Sequence, residues 1–235
     1  SENDVTILDS CFENSGITVF ESKSESILVS NNAFKGCKNL TDFSATTTKK
    51  CIFHQFAFSD CISLEKVKLN QNTEFVEFGK GCFLNSSLKE IEIPTILKII
   101  PEICFKNCTK LSKMIIGKDS KLEEFSTESF LNSGVESVFI PTETKTIEKL
   151  CFSECKNLKK ITFANDLKEC LLNEKAFYNS SLEQLNISKG ISKIDIGCFK
   201  NCSQLKKITF SEDSIVGEIN ERVFESTNID SLVLP

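Results

Sequence analysis

Tryptophan is absent, and tyrosine, methionine and histidine occur once each in 235 residues. Arg222 is the only arginine among 28 basic residues, and the formal net charge is −5. Each shortage excludes a class. A protein that grips nucleic acid needs a basic patch with arginine forks for phosphate and guanine, and this chain lacks both. One histidine leaves no material for a histidine-rich metal centre or for a Ser-His or Cys-His relay. Apolar stretches are short and broken by Lys, Glu or Pro, so no segment is long enough to span a bilayer. Four prolines and nine glycines leave no room for a Gly/Pro-rich linker between domains. The chain opens at Ser1 without a basic-then-apolar leader and stops at Pro235 after an apolar run. It reads as a piece of a longer protein.

Phenylalanine, by contrast, occurs 20 times, in a chain that is 40% hydrophobic and 26% charged. A small residue followed by Phe recurs at Cys11-Phe12, Ala33-Phe34, Ala57-Phe58, Cys82-Phe83, Cys104-Phe105, Ser129-Phe130, Cys151-Phe152, Ala176-Phe177, Cys198-Phe199 and Val223-Phe224. The Phe spacings are 22, 24, 25, 22, 25, 22, 25, 22 and 25, and from Phe58 onward every second Phe is 47 residues away. Such a fixed period is the signature of a stacked-repeat protein. Within each unit a second pattern follows, as in Leu111-x-x-Met114-x-Ile116, Leu158-x-x-Ile161-x-Phe163 and Leu205-x-x-Ile208-x-Phe210. Its last three positions alternate, which predicts a short strand. Short units close with Pro94, Pro141 or Pro235, and proline does not extend a paired strand. The small-Phe pair is expected to open a brief helical turn ending at Asn-Cys or Asn-Ser. The prediction is an α/β repeat solenoid of about ten units over 1–235, one domain. One short strand per unit builds a parallel sheet, helical turns lie opposite, and the Phe residues form a ladder between them.

The run Leu88-x-x-Ile91-x-Ile93-Pro94-x-x-Leu97-x-x-Ile100, followed by Cys104-Phe105-x-x-Cys108, resembles the Treponema pallidum-type leucine-rich repeat of BspA-like proteins. The likeness covers nearly the whole chain, about ten leucine-rich repeats of 22–25 residues. Long units depart from it by about three extra residues, as between Gly117 and Glu128. The resemblance implies a surface or secreted protein of mucosal bacteria or parasitic protists that binds host proteins or other cells. It brings no catalytic motif and no cofactor.

Twelve cysteines are the most conspicuous candidates for chemistry. C-x-x-x-C occurs at Cys104/Cys108, Cys151/Cys155 and Cys198/Cys202, every second unit. Two strand spacings, roughly 10 Å, separate neighbouring pairs, too far to share a zinc ion or a disulfide. Ala33 and Ala57 fill the slot of Cys104, so free, buried, structural thiols are the expectation. Cys37/Cys61 and Cys82/Cys104 lie in matching slots of adjacent units and are disulfide candidates in an oxidising compartment. Six N-x-[ST] sequons occur, at Asn39, Asn85, Asn107, Asn179, Asn186 and Asn201. Four of these Asn lie two residues after the repeat Phe, where capping of the helical turn competes with glycosylation. His54 in its apolar stretch reads as a packed or surface residue. Glu123-Glu124 and Glu212-Asp213 read as solvated loops, because no calcium-loop spacing accompanies them.

The outward strand positions are the candidates for binding. Glu65, Lys89, Ser112, Glu136, Lys159, Glu183, Lys206 and Asp230 alternate in sign along the stack, so much of this face neutralises itself. At the last outward position Lys68, Glu92, Thr162, Asn186 and Thr209 give way to Ile115 and Phe139. An apolar pair within a polar rim, Lys113, Glu136, Lys160 and Thr162, is a contact-site candidate, unless the two residues merely pack on each other. The reading is a non-catalytic adhesion or recognition module, at the cell surface or secreted, for a host or neighbouring-cell protein such as a matrix protein. The alternative is an intracellular, cytoplasmic scaffold of the same fold. Leu232 and Leu234 in the last strand lack an outer neighbour, so weak self-association through the repeat ends is expected.

Overall fold

The computed structural model describes residues 3–232. Within them the chain winds through ten coils, each giving two short strands. The first five coils hold β1 (Asp4–Ile7), β2 (Val19–Glu21), β3 (Ser26–Val29), β4 (Asp42–Ala45), β5 (Lys50–Phe53), β6 (Lys66–Leu69), β7 (Phe75–Phe78), β8 (Glu90–Ile93), β9 (Ile99–Ile100) and β10 (Lys113–Ile116). The next five hold β11 (Glu124–Phe125), β12 (Ser137–Ile140), β13 (Thr146–Ile147), β14 (Lys160–Phe163), β15 (Cys170–Leu172), β16 (Gln184–Ile187), β17 (Ile191–Ile194), β18 (Lys207–Phe210), β19 (Glu218–Ile219) and β20 (Ser231–Leu232). Odd strands pair in parallel on one side, as β1-β3-β5-β7 and β9-β11-β13-β15-β17-β19. Even strands, those of the L-x-x-L-x-L motif, pair as β2-β4-β6, β8-β10, β12-β14 and β16-β18-β20.

Two expectations are thereby corrected. The first is the single strand per unit. Runs such as Lys50-Cys51-Ile52-Phe53 and Phe75-Val76-Glu77-Phe78 alternate in burial and form a second sheet. In every coil six positions lead from the aligned residue of the odd strand to the repeat Phe, as from Ile52 to Phe58 and from Glu124 to Phe130. Extra length falls mainly in the turn after the even strand: six positions lead from Ile93 to Ile99, eight from Ile116 to Glu124.

The second is the helical turn. No helix forms among the described residues. The positions two before and two after each repeat Phe all have positive φ, between 50° at Ile103 and 67° at Gly36. A right-handed helix cannot pass through residues of that handedness. The segment is instead a run of tight turns, such as Leu8 to Cys11 and Phe12 to Ser15, each closed by an amide bonding the carbonyl three residues back. A positive φ at the third residue is what a type II turn requires. The freed amides point along the stack. Ile103, Phe105 and Asn107 donate to the Thr127, Ser129 and Leu131 carbonyls of the next coil at 3.1, 2.7 and 2.9 Å. The turn side is thus a third backbone ladder.

This ladder explains the asparagines. Asn tolerates left-handed backbone at low cost, and Asn14, Asn85, Asn107, Asn132, Asn179 and Asn201 all take it, in the slot after the ring. They do not cap a helix. They hydrogen-bond coil to coil: Asn107 Nδ2 donates to Asn85 Oδ1 at 2.9 Å, and Asn132 Nδ2 to Asn107 Oδ1 at 3.0 Å. Gly36, Gly81 and Gly197 fill other left-handed slots, where a side chain at Gly81 would also strike the Phe56 ring. Ile103 takes the same conformation despite its branched Cβ, a strain on the order of 1–3 kcal/mol that the bond to Thr127 helps to hold.

Between the three ladders lies one apolar core. The ten repeat rings from Phe12 to Phe224 stack in an unbroken file with centroids 4.9 to 5.8 Å apart and planes within 18°. Each such contact adds about 0.5–1.5 kcal/mol to the burial of its rings. Flanking the file are columns of small residues. Cys61, Cys108, Cys155 and Cys202 each direct Sγ at the ring residue's carbonyl in the preceding coil, 3.0 to 3.1 Å away. Ser133 and Ser180 occupy the same slot in the intervening coils, at 3.4 Å from Cys155 and 3.3 Å from Cys202. The C-x-x-x-C thiols are therefore two coils apart, as the spacing predicts. All twelve cysteines are free, eleven of them buried, and no metal-binding cluster occurs among the described residues. Of the disulfide candidates, Cys82 and Cys104 face each other as thiols with Sγ atoms 3.5 Å apart. Burial raises the thiol pKa of Cys108 to about 12 and that of Cys155 to about 11. Among the acidic pairs, Glu123 bonds Lys145, whose ammonium lowers its pKa, while Glu124 opens strand β11 and is not a loop residue. In the last strand Leu232 is exposed, and Leu234 lies outside the described residues.

Phe130 is fully buried between Phe105 and Phe152. Phe130→Ala should destabilise the fold by about 3–5 kcal/mol, read as a large drop in denaturation midpoint; an unchanged midpoint contradicts the ring file. A second expectation concerns the thiols. Native protein should react with a thiol reagent at one site, Cys11, and at all twelve once denatured. Thiols whose pKa is raised by folding stabilise the fold below their unfolded value near 9, and that contribution declines as pH rises toward about 12. The unfolding free energy should fall over this window by up to about 1.4 kcal/mol per pH unit per thiol, read as a falling melting temperature, and less steeply in Cys108→Ala/Cys155→Ala protein. A curve of equal slope in that variant would refute the burial of these thiols.

Candidate binding surface

Alternation along the even strands buries one side chain and exposes the next. In β6, β8, β14 and β16 the pattern is exposed, buried, exposed, buried. Apolar Val67, Ile91, Ile161 and Leu185 point into the core, and a grid of polar residues faces outward. The sign alternation read in the sequence becomes real contact. Lys89 Nζ lies 2.6 Å from Glu65, Lys113 Nζ 3.7 Å from Glu90, and Lys159 Nζ 3.9 Å from Glu183. The Lys89 ammonium, donating to Glu65, lowers that carboxyl's pKa. All these pairs are exposed, so each contributes at most about 0.2–1 kcal/mol. They fix neighbouring coils in register more than they stabilise the fold.

This sheet is not continuous. Ladder pairing stops between β6 and β8, between β10 and β12, and between β14 and β16, although these strands remain neighbours. At each interruption a bond at the strand entrance persists: Lys89 to Glu65, Glu136 to Ser112 and Glu183 to Lys159, all amide to carbonyl at 3.2 to 3.3 Å. Beyond it the strands diverge. Each diverging strand, β8, β12 or β16, begins seven residues after its ring, whereas β10, β14 and β18 begin eight after theirs. Clefts open at these places.

The six candidate residues reach one face, across one of these interruptions. Lys113 and Ile115 lie on β10, Glu136 precedes β12, Phe139 is on β12, and Lys160 and Thr162 are on β14. Register aligns Ile115 with Glu92 and Phe139 with Thr162. Ile115 is 36% exposed and Phe139 half-buried. They line separate clefts. Ile115 borders one with Lys66, Lys68, Glu90 and Glu92, and Phe139 borders another with Lys118, Asp119, Thr142 and Thr162. The sequence pattern shows neither the broken ladder nor the two clefts.

The odd-strand face carries apolar residues that the sequence reading did not single out. Phe75 is 44% exposed with Lys50 Nζ 5.7 Å above its ring, and Ile99 and Leu171 are exposed on the second sheet of odd strands. The period-two runs ending five residues before the ring, as at Val29, Phe53 and Phe78, were the available signal. Among the sequons, Asn186 is exposed on β16, whereas the side-chain amides of Asn85, Asn107, Asn179 and Asn201 are already bonded to neighbours. His54 lies in the turn after β5. No helix long and apolar enough to cross a membrane occurs among the described residues.

A family model described as BspA type leucine rich repeat region, in six copies, matches residues 5–133 and 123–235. No curated protein matches the chain. Among solved structures, a leucine rich cell surface protein from Faecalibacterium prausnitzii is 18% identical, with a TM-score of 0.58 over 99% of this chain and 71% of its own. A leucine-rich repeat protein from Eubacterium ventriosum is 19% identical, with a TM-score of 0.49 over 95% and 69%. A leucine-rich repeat protein from Treponema pallidum is 16% identical, with a TM-score of 0.48 over 81% and 73%. At such identities the likeness is one of fold.

Proposed function

This chain belongs to the BspA-type leucine-rich repeat family, and on that footing we propose that it is a non-catalytic adhesion or recognition module, at the cell surface or secreted, whose even-strand face binds a host or neighbouring-cell protein. The observation that carries the proposal is the pair Ile115 and Phe139, presented outward amid a polar stretch of the even-strand face. Interface energy concentrates in a few apolar or aromatic anchors with a polar surround. Lys113, Glu136, Lys160 and Thr162 supply that surround, and their charges set encounter rate and orientation more than affinity. The clefts give the anchors lateral walls that a flat sheet would not. In support of the setting, the Faecalibacterium neighbour is described as a cell surface protein; the location of this chain is our reading.

The paired change Ile115→Ser/Phe139→Ser tests it. Both side chains face outward, so the melting temperature should stay within a few degrees of the parent's. Capture of a protein ligand from an array of host surface and matrix proteins should fall at least tenfold. Undiminished capture would end the proposal, and a collapse in stability would show that the pair belongs to the core.

A further inference from the structure

The interruption between β14 and β16 differs from the others in charge. A cleft of about 410 Å³ opens there, and its charged lining is Lys160, Lys189 and Lys207, with no Asp or Glu. None of the three lysines forms an ion pair among the described residues, although the chain carries a net charge of −5. The cleft between β6 and β8 is the contrast: Lys66 and Lys68 share it with Glu90 and Glu92. The remaining exposed lining is amide and hydroxyl, chiefly Asn165, Gln184, Asn186 and Thr209. The apolar lining residues Ile161, Phe163 and Leu185 belong to the core beneath.

We propose that this cleft is a binding site for an extended anionic glycan, carrying sulfate or carboxylate groups along a polyhydroxyl backbone. Three features select that chemistry. Lys160 and Lys207 supply positive charge that no carboxylate lining the cleft cancels, whereas Lys189 at its side also feels the Asp166 carboxylate. Lys160 and Lys207 stand at the same strand position two coils apart, with Gln184 aligned to Lys207 between them. Two ladder spacings are about 10 Å, and the parted ladder between β14 and β16 widens this somewhat, on the scale of one disaccharide, so a glycan with one anionic group per disaccharide meets a lysine at each end and an amide in the middle. Finally, a peptide partner is expected to use aromatic or apolar anchors, and this cleft exposes none; those lie at Ile115 and Phe139. Lysine rather than arginine also suits the ligand, because a point charge follows anions of varied geometry where a planar fork demands one.

The site stands apart from the protein-binding pair, and the experiment separates the two. Binding of dextran sulfate, hyaluronan, unsulfated dextran and poly-glutamate to the intact chain is measured by titration calorimetry at low and physiological salt. Dextran sulfate or hyaluronan should bind with salt-sensitive affinity, and unsulfated dextran should not. Lys160→Gln/Lys207→Gln should weaken that binding about tenfold without moving the melting temperature, and Lys189→Gln should weaken it further. Lys66→Gln/Lys68→Gln, which removes the same charge elsewhere on the sheet, should leave it unchanged, as should Ile115→Ser/Phe139→Ser. The proposal is overturned if neither anionic glycan binds, if poly-glutamate binds as tightly as the glycans, or if the Lys66/Lys68 change weakens binding as much as the Lys160/Lys207 change.

Discussion

A phenyl ring resting on the ring of the coil before it is the contact that the rest of this structure must accommodate. Parallel strands stack at about 4.8 Å, and offset aromatic rings are most comfortable at about 4.5–7 Å. The observed 4.9 to 5.8 Å satisfies both at once. Strands, turns and rings can therefore share one rise per coil over the whole length. No coil could bury its ring alone, so the units are stable only as a stack. A ring removed from the middle leaves a void that neither neighbour can close without breaking three ladders.

The turn side follows from that rise. A helix on this side would spend its amide donors within the coil and leave the stack joined only by strands and side chains. Alternating left-handed residues turn those donors toward the next coil instead. This is the reason for asparagine, glycine and aspartate in the slot two residues beyond the ring, and for the tolerated strain at Ile103. It also accounts for the thiols. The position before each ring holds only Cys, Ala, Ser or Val, and three residues beyond the ring the sulfur of Cys61, Cys108, Cys155 or Cys202 fills space while offering a weak donor to the carbonyl of the coil before. The raised pKa values of Cys108, Cys155 and Cys202, caused by burial, mark these as packing groups, since a reactive thiol is one whose pKa is lowered.

On the even-strand face the same stacking acts against uniformity. Units of alternating length must share one core, and the mismatch appears between β6 and β8, between β10 and β12, and between β14 and β16. The ladder parts there, and clefts open at regular intervals along an otherwise flat sheet. Charge then distinguishes them. Toward the N-terminal end acids and lysines offset one another, near Ile115 and Phe139 apolar surface emerges, and between β14 and β16 only lysines remain. One face thus offers chemically distinct surfaces in sequence, which suits a module that recognises extended partners.

The spacing of the small-Phe pairs alone specified the solenoid, the number of coils and the burial of the rings, because a period imposed by stacking is written into every unit. The L-x-x-L-x-L alternation likewise determined which even-strand residues face outward, including Ile115 and Phe139, since neighbouring strand residues point to opposite sides. The thiol separation followed from the same arithmetic. The second strand and the missing helix were not legible in the same way. Two-residue strands such as Ile99–Ile100 and Thr146–Ile147 are too short for a period to register, and they exist because the neighbouring coils supply their partners. The helix was expected from local preference around each Phe, but the left-handed backbone that replaces it is favoured only when the next coil accepts the amides. The clefts lie furthest from the sequence. They depend on small differences in how successive coils align, and such differences have no meaning until the coils are stacked.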